Sequence, residues 1–459
     1  MKTIFNMTTI LLLAATAFAV DPTVSGEPTV SQSADRKVTI DYTLADAPAI
    51  VTFEVFTNGV TIGGFPLRAA WGDVNVIVQP GSRTIFWQPR EWNDRFVVDG
   101  SVSVKVTAHA LDNPPDYMAV DLSMPSNRVW YANAEAVPLG VTNNLYKTAK
   151  LLMRRIHAAG VRWRKGSSQG QETGHWNAEV AYPVILTKDY YIGVFPVTYR
   201  QHKLFSSPGS TDVQYQYYPQ QSVSAADLRG PLPTYDWQAN GDAVNHSLPI
   251  GKLRDFTGID TFDLPSDAQW EFACLGGTAH PRFGVVTADL PKYAWYKDSD
   301  YKKYGGSGSS AVQHVGLLLP NPYGLYDMLG LGFELCNDWY VEGDSYAKEG
   351  VLRSIQGVRR TMGTTSMCFM RVPGHTMPTT SVRVPVRRGR HTRILAAVRT
   401  ESTALSAALI CGKQTAKRRK EYRHEKFCID RFCDSRIACR FGGTDGDDNR
   451  HSCSGCFYA

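Results

Sequence analysis

Glu334 is the residue best placed for metal chemistry. It lies in the tract Asn321-Pro-Tyr-Gly-Leu-Tyr-Asp-Met-Leu-Gly-Leu-Gly-Phe-Glu-Leu-Cys-Asn-Asp-Trp-Tyr340. There Gly324, Gly330 and Gly332 interrupt a series of aromatic anchors, Tyr323, Tyr326, Phe333 and Trp339. Such punctuation predicts tight turns pinned by rings. Turns of that kind bring backbone carbonyls together with a carboxylate, an all-oxygen environment that suits calcium. A second role stays open beside it, in which Glu334 satisfies nearby backbone donors.

Sulfur offers less. Seven of the nine cysteines lie at or after Cys368, and Cys368 itself has no close neighbour among them. It is the one candidate for a catalytic residue, and no other is assigned. Cys428, Cys433 and Cys439, with His451 and the pair Cys453 and Cys456, form a zinc alternative. Only the final Cys-x-x-Cys has ribbon spacing, so zinc is not expected. Lys417-Arg-Arg-Lys420 could meet phosphates. No phosphate-cradling Gly-x4-Gly-Lys-Ser/Thr loop, His-Glu-x-x-His helix or Gly-x-Ser-x-Gly elbow occurs, and Gly306-Ser-Gly-Ser-Ser310 reads as a flexible turn. His175 beside Trp176 is a lone loop histidine.

The elements that must hold these residues fall into segments. Met1-Lys2, the apolar run Ile10–Ala15 and Ala17-Phe-Ala19 have the form of a signal peptide, residues 1–19, cleaved after Ala19. The run is too short to span a membrane, and no later stretch approaches the roughly 18 apolar residues a span needs. The mature chain is therefore expected to be secreted, periplasmic or at the cell surface. Residues 20–131 read as an all-β sandwich of the immunoglobulin or fibronectin type. Val38, Ile40, Tyr42 and Leu44 alternate with polar neighbours, and the period of two returns at Val51–Val55, Val74–Val78 and Val102–Val106. Asn58-Gly59 marks a hairpin. Residues 132–145 form a linker. From Leu145 onward short apolar pieces rich in Trp, Tyr and Gly predict an irregular α+β domain with little regular secondary structure. One helix is distinct: Ser266 caps it, Trp270, Ala273 and Cys274 share a face, and Gly276-Gly277 ends it.

Charge divides the 459 residues unevenly. From Ser354 onward there are 20 Lys+Arg against 8 Asp+Glu; before it there are 29 against 35. All ten Trp lie at or before Trp339. The body is acidic and only the end is basic, so the net charge of +6 does not indicate nucleic-acid binding. Residues 388–459 are expected to be a disordered basic tail.

Three tracts together carry a resemblance: Tyr190-Tyr-Ile-Gly-Val-Phe-Pro-Val-Thr-Tyr-Arg-Gln201, Asp263-Leu-Pro-Ser-Asp-Ala-Gln-Trp-Glu-Phe-Ala-Cys-Leu-Gly-Gly277 and the Glu334 tract. They are similar, in order and spacing, to the formylglycine-generating-enzyme or sulfatase-modifying-factor family. Its motifs are Ile-Gly-x-x-x-Val-Thr, Leu-Pro-Thr-Glu-Ala-Glu-Trp-Glu and Gly-Leu-Tyr-Asp-Met-x-Gly-Asn-Val-Trp-Glu-Trp. Gly166-Ser167 and His314-Val315-Gly316 resemble two further family turns. The match runs from about Tyr146 to Arg353 within a domain of residues 146–387, and it implies a C-type-lectin-like architecture. The front β-domain resembles that of secreted bacterial members.

The departures bear on function. The family's Arg before Leu-Pro is Asp263 here, its Asn before Val-Trp-Glu is Leu331, and its two tryptophans are Phe333 and Leu335. The resemblance implies that a late pair of cysteines binds copper(I), since soft thiolates suit that ion. After Val351-Leu352-Arg353 neither the expected strand nor a closing Gly-Phe-Arg follows. A shift of reading frame near Arg353 would account for both. Read one base later, Arg359–Gly363 permits Gly-Gly-Arg-Trp, Met367-Cys368 forces a cysteine, and Met370-Arg371 permits another. Val382–Val386 then permits Phe-Gly-Phe-Arg-Phe.

Three functions follow as expectations. The first is an exported family member without demonstrable oxidase activity. The second is a copper-dependent oxidase that makes formylglycine from a sulfatase cysteine. The third is a non-catalytic module that binds a protein or glycan.

Overall fold

The computed structural model describes residues 20–166, 181–207, 209–236, 240–296 and 312–339, together with the backbone of five later strands. It is a mixed α and β structure, mostly strands with few helices. By contacts it divides into a unit of residues 1–414 and a unit of residues 415–459, and all the described residues lie in the first.

The front strands are β1 (Thr23–Gln32), β2 (Val38–Ala45), β3 (Ala49–Thr57), β4 (Val60–Ile62), β5 (Ala70–Gly72), β6 (Ile77–Val78), β7 (Gly81–Trp87) and β8 (Val102–His109). One sheet has the order β1-β2-β7-β5; in the other, β3 pairs with β4, β6 and β8. The alternation in β2 buries Val38, Ile40, Tyr42 and Leu44 and turns Asp41 and Thr43 to solvent. Those side chains form one apolar cluster with Val51, Phe53 and Val55 of β3 and Ile85 and Trp87 of β7. Asn58 and Gly59 both take positive φ, 52° and 77°, the twist that a two-residue hairpin between β3 and β4 demands. The strand expected over Val74–Val78 is confined to Ile77–Val78, because Asn75 has a positive φ and turns the chain.

The later strands are β9 (Tyr117–Asp121), β10 (Arg128–Tyr131), β11 (Lys150–Ile156), β12 (Arg162–Lys165), β13 (Tyr182–Ile185), β14 (Tyr190–Gly193) and β15 (Phe333–Trp339), then β16 (Arg353–Ser354), β17 (Thr365–Cys368), β18 (Thr392–Arg393), β19 (Ala397–Glu401) and β20 (Ala404–Leu405). The helices are α1 (Tyr199–Ser206), α2 (Ala225–Arg229), α3 (Pro249–Thr257) and α4 (Asp267–Leu275). Strand β9 pairs with β10 on one side and β11 on the other, in a sheet of order β10-β9-β11-β14-β19-β20, and not with the front strands. Alternation identifies a strand but does not say which sheet will accept it. The seam is tied by backbone as well, since the Trp130 N–H donates to the Asn75 carbonyl at 2.9 Å.

The range expected as a disordered tail from 388 is not strand-free. Ala397–Glu401 lies antiparallel to β14 and turns back into β20. β14 is buried along its whole length, and the backbone of β19 supplies its edge with a hydrogen-bonding partner. The expected signal peptide, the cysteines from Cys428 to Cys456, His451, Lys417–Lys420, His175 and Val382–Val386 lie outside the described residues.

Candidate functional site

α4 is the hub. Ser266 accepts the Gln269 N–H and the Gln269 side chain accepts the Ser266 N–H, a reciprocal cap that fixes the first turn. At the other end Gly276 is left-handed at φ 61°, and a Cβ there would sit 2.6 Å from Pro322. The Asn321 side chain joins that end to the turns. It donates to the Ala273 and Cys274 carbonyls at 2.7 and 3.2 Å and accepts from the Tyr323 and Leu325 amides at 3.0 Å. The turns expected from the glycine spacing run to Leu331; from Phe333 the chain is the strand β15. Tyr326 is a buried anchor, stacked on Phe195 with ring centroids 4.9 Å apart, whereas Phe333 is exposed.

Glu334 is 0% exposed, and its Oε2 accepts the Trp270 indole N–H at 2.8 Å. Its neighbours in sequence, Phe333 and Leu335, offer no side-chain oxygen. Among the described residues no group of three or more His, Cys, Asp or Glu side chains is placed to hold a metal. The Glu334 Oε2 is already engaged by a protein donor. Leu331, at the place of the family's Asn, has φ 93°, a conformation that Asn reaches more easily than Leu.

Around α4 lies a set of buried charges that spacing alone does not reveal. Asp263 accepts from Arg229 at 3.1 Å and from Arg254 at 3.4 Å, and its other oxygen accepts the Leu264 amide at 2.9 Å. Arg229 also donates to the Gly241 and Ala243 carbonyls and to the Asn337 side chain at 3.2 Å. Arg254 donates to the Phe262 and Asp242 carbonyls. Burial pulls the Arg254 guanidinium below its usual range, and Asp263 opposes that. On the other flank Lys165 of β12 meets Asp267 at 2.8 Å and Glu271 at 3.0 Å. Burial alone would lower the Lys165 ammonium, but these two carboxylates outweigh it and hold it well above the usual lysine range. Beside them, burial pushes the Tyr182 phenol up to about 12.

Cys274 and Cys336, the described cysteine side chains, are not joined to each other. Cys274 is a buried thiol donating to the Met328 carbonyl at 3.6 Å, and Cys336 is disulfide-bonded to a cysteine other than Cys274. Cys368 lies in β17, in register with Glu334. Cys274 and Cys336 therefore do not together supply the two adjoining thiolates that copper(I) prefers. A network of this kind positions backbone.

Comparison with known proteins bears on the same segment. The model of the sulfatase-modifying factor enzyme 1-like domain matches residues 153–384, half of the chain and past Arg353. The serine/threonine-protein kinase pkn1 of Chlamydia pneumoniae is 35% identical over 210 residues, 42% of this chain and 29% of that protein. The formylglycine-generating enzyme of Mus musculus is 33% identical over 151 residues, 30% of this chain and 41% of that protein. The chain thus spans less than half the length of either relative. The solved structure of PvdO from Pseudomonas aeruginosa aligns with a TM-score of 0.35 at 16% identity, covering 55% of this chain and 95% of that one.

Proposed function

Because the chain belongs to the sulfatase-modifying factor enzyme 1-like family, we propose that it is an exported member that works without oxidase chemistry, its family domain serving as a binding module for a protein or glycan. The observation that carries this reading is the state of the sulfurs. Copper(I) needs adjoining thiolates, and the two described cysteine side chains are a thiol buried against a carbonyl and half of a disulfide. The disulfide also supports export to an oxidising compartment, as the N-terminal apolar run does. The family's Arg and Asn positions, here Asp263 and Leu331, are absorbed into an internal ion pair and a turn.

The finer architecture belongs to the same proposal. The two front sheets are a sandwich that acts as a spacer or docking module, and the second domain is an irregular lectin-type scaffold. The kinase named among the relatives shares under a third of its own length with this chain. That supports a family domain that is joined to different neighbours, and the kinase chemistry stays with that protein.

A copper(I) titration with oxygen uptake on a cysteine-containing peptide tests the proposal. No uptake is expected; turnover overturns it. The proposed frame shift near Arg353 is tested by the gene around codons 350–360, where stop codons throughout the next frame would refute it. A cooperative melt of the purified chain would separate a working module from a disrupted copy.

A further inference from the structure

We propose that the cleft between Phe283 and Pro322 binds one pyranose unit of a neutral glycan. The inference rests on the binding-module reading and names its ligand class and place. The cleft has a volume of about 460 Å³ and opens to solvent at the end of α4 where Gly276 abuts Pro322. That volume falls within the ~300–1,000 Å³ of small-ligand sites.

Its walls have two chemistries. Phe283 and Tyr293 meet edge to face, with centroids 5.5 Å apart and planes at 72°, and Pro320 and Pro322 face them across the opening. Asp289 also lines the cleft and pairs with Lys292 at 2.7 Å, and both side chains are about half exposed. A pyranose matches this combination. Its C–H faces pack on aromatic and proline rings, while its hydroxyls can donate to the carboxylate and accept from the ammonium. Because this pair is neutral as a unit, a neutral sugar is favoured over a charged one.

The cleft is also built to keep its shape. Asn321, which lines the cleft, uses both its oxygen and its amide within the protein, so its side chain is held in place. Arg282 and Phe283 are consecutive non-glycine residues in the left-handed region, at φ 55° and 43°. That conformation is unfavourable for both side chains and is retained where the surroundings impose it. Here it presents the Phe283 ring to Tyr293. The Leu319 N–H, donating to the Lys292 carbonyl at 2.8 Å, holds the two sides of the cleft together.

The test is titration of the full chain with neutral tetrasaccharides of glucose, mannose, galactose and N-acetylglucosamine, read by calorimetry. At least one should bind with a dissociation constant of ~1 mM or tighter. Tyr293→Ala and Asp289→Asn should each weaken it about tenfold. Asp289→Asn is isosteric and on the surface, so its melting temperature should not move. Trp71→Ala, which removes an exposed ring on β5, should leave binding unchanged. Absence of binding by all four sugars, or equal loss in Trp71→Ala, overturns the proposal. Oxygen uptake by a chain that still binds sugar would overturn only the non-oxidase reading, and a chain with neither activity would overturn only the cleft.

Discussion

The front sheets and the α4 region solve the same problem by different means. In the front sheets, ladder pairing satisfies the backbone and the alternating faces build an apolar interior, in which Thr52 is the one strongly buried polar side chain among the described residues. Around α4 the chain is mostly loops, whose carbonyls have no ladder to join. Buried guanidinium groups take that place: Arg229 and Arg254 reach the carbonyls of Gly241, Ala243, Phe262 and Asp242, and Asp263 balances their charge. Regular structure lets a core be apolar; irregular structure draws charge inside, because an unpaired buried carbonyl costs more than a paired ion.

Asp263→Ala should produce the largest effect, because it strands two buried guanidinium groups. A loss of about 3–5 kcal/mol is expected in urea unfolding; a loss below ~1 kcal/mol would break the comparison. Ile40→Ala should cost about 2–4 kcal/mol by cavity formation alone, with no change in salt or pH dependence. Trp270→Phe keeps an aromatic, though smaller, ring and removes the donor to Glu334, and a cost of about 2 kcal/mol is expected.

Acid should act on the second region through His202. Burial, aided by Lys203, holds its imidazole at about 4, below the ordinary 6.5. The unfolded chain therefore takes up the proton first as pH falls. Stability should be unaffected above pH 6.5 and should drop by about 1–3 kcal/mol between pH 6.5 and 4. His202→Phe should flatten that segment of the pH profile; an unchanged profile would show that His202 does not carry it. The smallest effect belongs to the surface of the front sheets. Glu91→Ala breaks the exposed pair with Arg68 and should cost under ~1 kcal/mol, vanishing at high salt.

What could be read beforehand follows the same division. The β2 alternation, the Asn58-Gly59 hairpin, the Ser266 cap and the stop at Gly276 were legible because each depends on residues within a few positions of one another. The Glu334 tract was legible as turns as far as Leu331. The partner of Glu334 was not, since Trp270 is 64 residues away. Neither was the pairing of Asp263 with Arg229 and Arg254: a departure from a family motif says that a group has changed and leaves open what now answers it. The buried Lys165 in Arg162–Lys165 looks like any exposed basic strand.

By itself the amino-acid order determined the family, the kinds of local element and the residues that cap and turn them, because those are set by short-range sterics and hydrogen bonds. Tertiary structure alone decided which sheet took β9 and β10, which charges went inside, and that Glu334 meets an indole. Those outcomes depend on which distant groups burial brings within reach, and desolvation then makes each such meeting obligatory.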